Sequence, residues 1–364
     1  MASGQRLERP MPLAETAVRA LAAIGPLPSP SGPGKRVGRG FASNLTGYGK
    51  PGRKSKALVA IEGDGQVCIR TGAPDVGGGQ CASYVQIASE VLGISPDAIR
   101  IYNADTATTP LSGITAGSMQ LTKAGNAVLA AARKLRQTLL RQAADLLEAR
   151  EEDLTISDGG ICVVGTSGPS LPLARVVAAC REAGVSLQCE GSFDAPPGSF
   201  DAAGTSEGNG WLDYTVGTQV ADVEVDEETG EVKVLRLSIC HDVGRAINPQ
   251  SVEGQLEGGA VMGLGYALME EFLLEEGKPL TGTLHEFLIP TSLDSPEAFS
   301  RYLESAGGIG PLGARGIGEP PCNVPAAAIA NAIRAAVGVR IHSLPITPEK
   351  VALAIRKGKG DHGR

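Results

Sequence analysis

One arrangement occurs twice in this chain and limits the folds open to it: two β-type runs joined by a tight turn, then a glycine-rich loop, then a segment of helical periodicity. In the first unit, residues 57–62 and 66–70 flank Gly63-Asp64-Gly65, where glycine supplies the positive φ angles of a tight hairpin turn. The loop at 72–80 follows. Tyr84, Ile87, Ala88, Val91 and Leu92 then recur at helical spacing, and Gly93 suits the left-handed position that ends a helix. In the second unit the runs are 218–225 and 231–239 around a turn at 226–230, followed by the loop 242–249 and a glycine-bearing amphipathic stretch at 252–269.

The repetition predicts an α+β fold of two related lobes, each a hairpin-based mixed sheet packed with helices. Between them, residues 122–150 carry Val128, Ala132, Leu135, Leu139 and Leu146 at steps of three, four and seven with charge on the other face, which predicts the longest helix. Residues 196–210 mix Pro, Gly, Ser and Asp without period and read as an inter-lobe loop. The first forty residues end in LPSPSGPGKRVGRG, a stretch too broken for a core helix or strand. The expected organisation is therefore an arm or linker over 1–45, a first lobe with the long helix over 46–210, and a second lobe over 211–364.

A length of 364 residues suffices for one large or two ordinary cores. Glycine reaches 49 residues while aromatics make up only 4%, so close backbone approaches replace bulky packing, and a buried ligand is expected to be held by main chain and small side chains. A net charge of -7 without a basic stripe argues against nucleic acid. No run of about 18 apolar residues occurs, and the first residues lack the apolar core of a signal peptide, so the expectation is a cytoplasmic chain without a membrane span. Seven cysteines without a C-x-x-C pair, and four histidines, speak against a structural zinc site or an iron-sulfur cluster on this chain.

The most informative string is Gly316-Ile317-Gly318-Glu319-Pro320-Pro321-Cys322-Asn323, ahead of an Ala-rich helix at 324–337. A residue before proline is pushed out of the helical region, so Glu319 is expected on extended backbone with its carboxylate presented. Gly318 leaves room beside it, and an apolar neighbourhood would raise its pKa toward that of a general base. The alternative is an acid that only complements the next helix dipole. The loop Gly77-Gly78-Gly79-Gln80 offers backbone N–H groups at a helix start, a weak anion-site signal without a P-loop lysine. Thr115-Ala116-Gly117-Ser118 also precedes a helix, with Ser118 as an ordinary N-cap as the plain alternative. Glycines 254, 258 and 259 let a ligand or a backbone approach the helix bearing Gln255, or serve tight helix packing alone; Asp242 fits an Asx-turn.

Taken in order, DVGGGQ with YVQIASEVLGI, TAGSMQLTKAGNAV, HDVGRAINPQSVEGQLEGGAVMGLG and GIGEPP resemble the second half of the molybdenum domain of the xanthine dehydrogenase and aldehyde oxidase family, from about Lys35 to the C-terminus. The resemblance implies a molybdenum-molybdopterin cofactor, with a cytosine dinucleotide as one form of its tail. It implies hydroxylation of an aldehyde or N-heterocycle with water as oxygen source, and Glu319 as general base. Gln255 would contact the pterin. Gly117 and Ser118 would lie at the metal and pterin with Thr115 and Ala116 nearby, and the metal would be held by the pterin without a protein ligand.

Two departures stand out. Many family members have Gly-Gln-Gly in the first loop where this chain has Gly77-Gly78-Gly79, so the expected amide at 78 is absent, and Gln80 is two residues displaced. Family members also carry, ahead of the matched region, a segment of comparable size with a Phe-Gly-Gly motif, and nothing in residues 1–49 matches it. The resemblance thus implies a partner chain bearing that half, with iron-sulfur clusters and FAD on further partner chains. The alternatives are a truncated or non-catalytic cofactor-binding subunit, or a fragment of a carbon monoxide dehydrogenase-type large subunit.

Overall fold

The computed structural model describes residues 5, 7, 9–52, 54–157, 159–165, 170–196 and 210–361. Its elements run in the order α1 (Leu13–Ile24), β1 (Lys35–Tyr48), β2 (Lys54–Ile61), β3 (Val67–Thr71), α2 (Gln80–Leu92), β4 (Ile99–Asn103) and α3 (Asn126–Leu147). There follow β5 (Leu154–Ser157), β6 (Gly160–Val163), β7 (Leu171–Pro172), α4 (Leu173–Glu182), β8 (Gln188–Asp194), β9 (Asp213–Asp226) and β10 (Val232–Asp242). The chain continues through α5 (Pro249–Leu268), the short pair β11 (Leu274–Glu275) and β12 (Lys278–Pro279), β13 (Glu297–Leu303), α6 (Pro325–Val337) and α7 (Pro348–Asp361).

The repeat seen in the residues is a repeat of topology. The first sheet has the order β4-β3-β2-β8 and the second β13-β10-β9-β1. In each, an antiparallel hairpin (β2 with β3, β9 with β10) takes an antiparallel strand on one edge (β8, β1) and a parallel strand on the other (β4, β13). A helix, α2 or α5, makes the crossover to the parallel strand, as a parallel pairing requires. The two cores are built alike. Ala57, Val59, Ile69, Tyr84, Ile87, Leu135 and Leu139 meet in the first; Val223, Leu237, Ile239, Leu256, Ile329 and Ile333 meet in the second. Each of the Val, Ile and Leu side chains among them contributes about 1.5–3 kcal/mol on burial.

Glycine does corresponding work in both lobes. A Cβ on Gly191 of β8 would lie 2.1 Å from the Ala127 carbonyl oxygen of α3, and one on Gly40 of β1 would lie 2.2 Å from the Ala332 nitrogen of α6. Each edge strand thus lets a helix rest directly on its backbone, which accounts for a glycine-rich chain with few aromatics.

The arm expected over 1–45 is corrected by these elements. Helix α1 lays Ala20 and Ile24 against Val220, Cys240 and Leu303, covering the face of the second sheet opposite α5 and α6. Strand β1 pairs with β9 from Lys35 to Tyr48. The inter-lobe loop expected at 196–210 falls, for 197–209, outside the described residues. In α3 the expected stripe is buried at Val128, Ala132, Leu135 and Leu139, while Leu146 is exposed. No described helix is long and apolar enough to cross a membrane.

Candidate active site

The ends of equivalent elements face one another across a cleft of about 410 Å³. From the first lobe come the β3–α2 loop (Val76, Gly77, Gly78, Gln80) and the loop before α3 (Thr115 to Leu121); from the second come the β10–α5 loop (Val243, Arg245, Ile247, Asn248) with Gln255 of α5, and the stretch Ala314 to Glu319 ahead of α6. All the predicted site residues line it except Gly79, whose α-carbon faces Ser251 instead: a Cβ there would sit 2.4 Å from Ser251 Oγ. This contact joins the starts of α2 and α5. Arg245 and Glu90 add an ion pair at 2.7 Å between the lobes.

Glu319 and Ser118 meet across the cleft. The Ser118 hydroxyl donates to Glu319 Oε2 at 2.6 Å and accepts from the Glu319 backbone N–H at 2.9 Å. Ser118 holds a left-handed φ of 51° to do so, an unusual conformation for a residue with a side chain. It is therefore not the N-cap that its position before a helix suggested. Gly316 makes room for it, since a Cβ there would lie 2.1 Å from the Ser118 carbonyl oxygen.

Two expectations for Glu319 are corrected. Its backbone has φ -109° and ψ -31°, not the extended form expected before a proline, and a short 3-10 turn over Pro320–Cys322 follows. Tertiary anchors account for this turn. Asn44 of β1 donates to the Pro320 carbonyl at 2.9 Å, and Gln219 of β9 to the Pro321 carbonyl at 2.6 Å. On the other side, Gly259 of α5 lets Pro321 approach to 2.6 Å of where a Cβ would stand. The expected apolar surroundings are also absent, for Glu319 is exposed in this chain.

The β3–α2 loop differs from a free anion cradle. Asp75 accepts the N–H groups of Gly77 and Cys81, both at 3.0 Å. Burial acts to raise the Asp75 pKa, but the N–H groups of Cys81, Gly77 and Gly79 outweigh it and hold the carboxyl below its ordinary value. These donors are taken up inside the loop. What faces the cleft without a partner is side-chain oxygen: Gln80 Oε1 and Thr115 Oγ1 are buried and unpaired among the described residues. The glycines of α5 divide as well, with Gly259 and Gly263 packed on Pro321 and Pro325 while Gly254 and Gly258 face open space.

Asp242 is the Asx-turn residue expected, accepting the Gly244 N–H at 3.1 Å, and it is also one half of a buried ion pair that the sequence reading missed. Arg315 Nε lies 3.3 Å from Asp242 Oδ2, with the two side chains 1% and 0% exposed. Arg315 further donates to the Tyr214 and Ala306 carbonyls and to Ser305 Oγ, fixing the segment that leads to Glu319. Asn44, Gln219 and Arg315 were not singled out because their partners are backbone carbonyls or charges far along the chain; only the GARG that leads into GIGEPP marks Arg315 at all.

Across from Gly217 of β9, His241 of β10 is fully buried, and neither ring nitrogen has a partner among the described residues. Burial lowers its pKa to about 3. The unfolded chain takes up this proton near pH 6.5 while the folded chain does not, so stability falls as pH drops from about 6.5 toward 3, by at most about 1.4 kcal/mol per pH unit. Urea denaturation at pH 6.5 and 5.5 checks this. Wild type should lose roughly 1 kcal/mol more than His241→Leu over that interval, and equal losses would contradict the assignment.

The fold places equivalent loops of two similarly built lobes around one cleft. The chain belongs to the xanthine dehydrogenase family of molybdopterin-binding subunits: the molybdopterin cofactor-binding domain matches residues 26–296. It is 34% identical to the 6-hydroxypseudooxynicotine dehydrogenase complex subunit gamma of Paenarthrobacter nicotinovorans, over 87% of this chain and 39% of that protein. The aldehyde oxidoreductase structure from Desulfovibrio gigas superposes with a TM-score of 0.80 at 28% identity, covering 97% of this chain and 36% of that one. The carbon monoxide dehydrogenase of Oligotropha carboxidovorans, at 24% identity and a TM-score of 0.77 over 96% of this chain and 43% of that one, shares the fold. The chain thus spans about two-fifths of the length of the proteins it matches.

Proposed function

We propose that this chain holds a molybdenum-molybdopterin cofactor in the inter-lobe cleft and acts, with partner chains, in the oxidative hydroxylation of an aldehyde or an N-heterocycle. The carrying observation is the meeting of Ser118 and Glu319 across the cleft, which sets one carboxylate at the edge of a polar, glycine-walled space. The residues present fit such a group. Thr115 Oγ1 and Gln80 Oε1 are buried without partners, Gln255 lines the same space, and Gly77, at φ 100°, has nothing within 4 Å of where a side chain would stand. Unpaired buried oxygens are costly, and donors on a flat polar ring would satisfy them.

Thr115, Ala116, Gly117 and Ser118 on one side and Gln255 on the other would hold the cofactor, with Gly78, Gln80 and Gly318 completing the wall. When bound, the group supplies two-electron oxidation and the activation of water. Glu319 takes up a proton. Its Oε2 is fixed by the Ser118 hydroxyl, and Oε1 meets no hydrogen-bond donor among the described residues, so one carboxylate oxygen is oriented and the other is available.

Partners follow from what this chain leaves uncovered. Phe272, Leu273, Leu274, Leu280, Leu284 and Leu293 are exposed along one stretch, Leu293 at 95%. So many large apolar side chains exposed within one segment are the kind of surface that a partner covers. Its occupant in this reading is the part of the relatives' length that the chain does not span, which would also enclose Glu319. Iron-sulfur clusters and FAD on further chains would carry the electrons away. The assembled enzyme, given aldehydes and N-heteroaromatics with a dye acceptor in 18O-labelled water, should place the label in the product. Unlabelled product formed at the same rate would contradict the reading.

A further inference from the structure

Gly78 and Gln80 stand in a relation that the loop sequence alone does not show. Gly77 and Gly79 have left-handed φ angles of 100° and 73°, but Gly78 does not, so its backbone suits any residue. The atoms nearest to a side chain there are the far end of Gln80: a Cβ on Gly78 would lie 2.5 Å from Gln80 Nε2, 3.1 Å from Cδ and 3.2 Å from Oε1. The Gln80 side chain therefore folds back from the first turn of α2, and its amide lies over residue 78. That amide lines the cleft with a buried, unpaired Oε1, while the loop N–H groups of Gly77 and Cys81 are spent on Asp75.

We infer that Gln80 is the cofactor-contacting amide of this loop, carried two residues along the chain from the position where many family members have it, and that its amide occupies the space above residue 78. The inference rests on the reading of the cleft as the cofactor site. It makes positions 78 and 80 a coupled pair, in which an amide supplied from either one serves the same contact.

The test compares wild type, Gln80→Ala, Gly78→Gln and the double variant Gly78→Gln/Gln80→Ala as assembled enzyme. Molybdenum and released pterin per chain are measured before and after prolonged dialysis, with thermal unfolding of each variant as a check on folding. Loss of the amide should speed cofactor loss from Gln80→Ala about tenfold, the scale of a hydrogen bond or two. Gly78→Gln should retain cofactor, because the flexible Gln80 side chain can yield to the new amide, and the double variant should recover most of the wild-type retention. Full retention by Gln80→Ala, or a double variant no better than Gln80→Ala, would overturn the inference while leaving the cofactor reading intact. A well-folded wild type that holds neither molybdenum nor pterin would overturn both.

Discussion

Exchange of Glu319 for Gln is expected to leave the cofactor in place and to lower turnover of the assembled enzyme by roughly 10² to 10⁴, the usual worth of a general base. Gln matches Glu in length and shape. Its backbone N–H still reaches Ser118 Oγ, and its carbonyl oxygen can still accept from that hydroxyl, so the 2.9 Å and 2.6 Å contacts survive. The Asn44 and Gln219 bonds to Pro320 and Pro321 do not involve the side chain at all. What is lost is the capacity to take a proton. Molybdenum content measured beside turnover separates the two effects, and near-wild-type turnover at equal cofactor content would remove Glu319 from the role of base. The plain alternative, an acid serving the dipole of the next helix, predicts that result together with a small loss of stability.

Arg315→Met should destabilise the chain by about 3–5 kcal/mol, because it strands a carboxylate in the interior. Asp242 is fully buried, and with Arg315 gone its charge keeps only the Gly244 and Ser305 N–H groups and the Ser305 hydroxyl. Methionine fills much of the arginine stem's volume, so the loss reports charge more than packing. Asp242→Asn in the same background should recover part of it by removing the uncompensated charge. Urea denaturation at neutral pH measures both, and a loss below about 1 kcal/mol in Arg315→Met would show that the pair contributes little. A second effect is expected at the cleft: the Arg315 bonds to Tyr214, Ser305 and Ala306 hold the segment ahead of Glu319, so the turn over Pro320–Cys322 should loosen too.

The hairpins, the crossover helices and the long helix were legible because each rests on local periodicity or turn chemistry. Tyr84, Ile87 and Leu92 on α2 are buried as their spacing implied, and Gly93 takes the left-handed φ of 63° that ends the helix. The N-terminal elements were illegible for a physical reason. In β1, Gly38, Gly40 and Gly47 break the alternating pattern of a strand, yet Gly38 and Gly40 are where α6 rests on the strand and Gly47 is where Trp211 does. Glycine read as a breaker was glycine admitting a close neighbour. In α1 the buried positions Thr16, Ala20 and Ile24 recur every four residues, but two of the three are small or polar, and the prolines on either side dominate the local signal.

At the site, the motifs located the loops, while the pairings that give the loops their form were beyond any local pattern. Ser118 and Glu319 are 201 residues apart in the chain. The backbone of Glu319 departs from the form favoured before proline because Asn44 and Gln219, from two strands of the second sheet, hold the next two carbonyls. A local preference of this size yields to several tertiary hydrogen bonds. Asp75 likewise changes the meaning of its loop: three glycines beside a helix start suggest a bare cradle of N–H groups, and a single carboxylate two residues before Gly77 takes up those donors.

The central claim is that the cleft between the lobes is a molybdopterin site. Its most direct test is the molybdenum and pterin content of this chain purified as part of its assembled enzyme from molybdenum-supplied cells. One molybdenum and one pterin per chain are expected; a folded, fully assembled enzyme containing neither would contradict a molybdopterin site in the cleft.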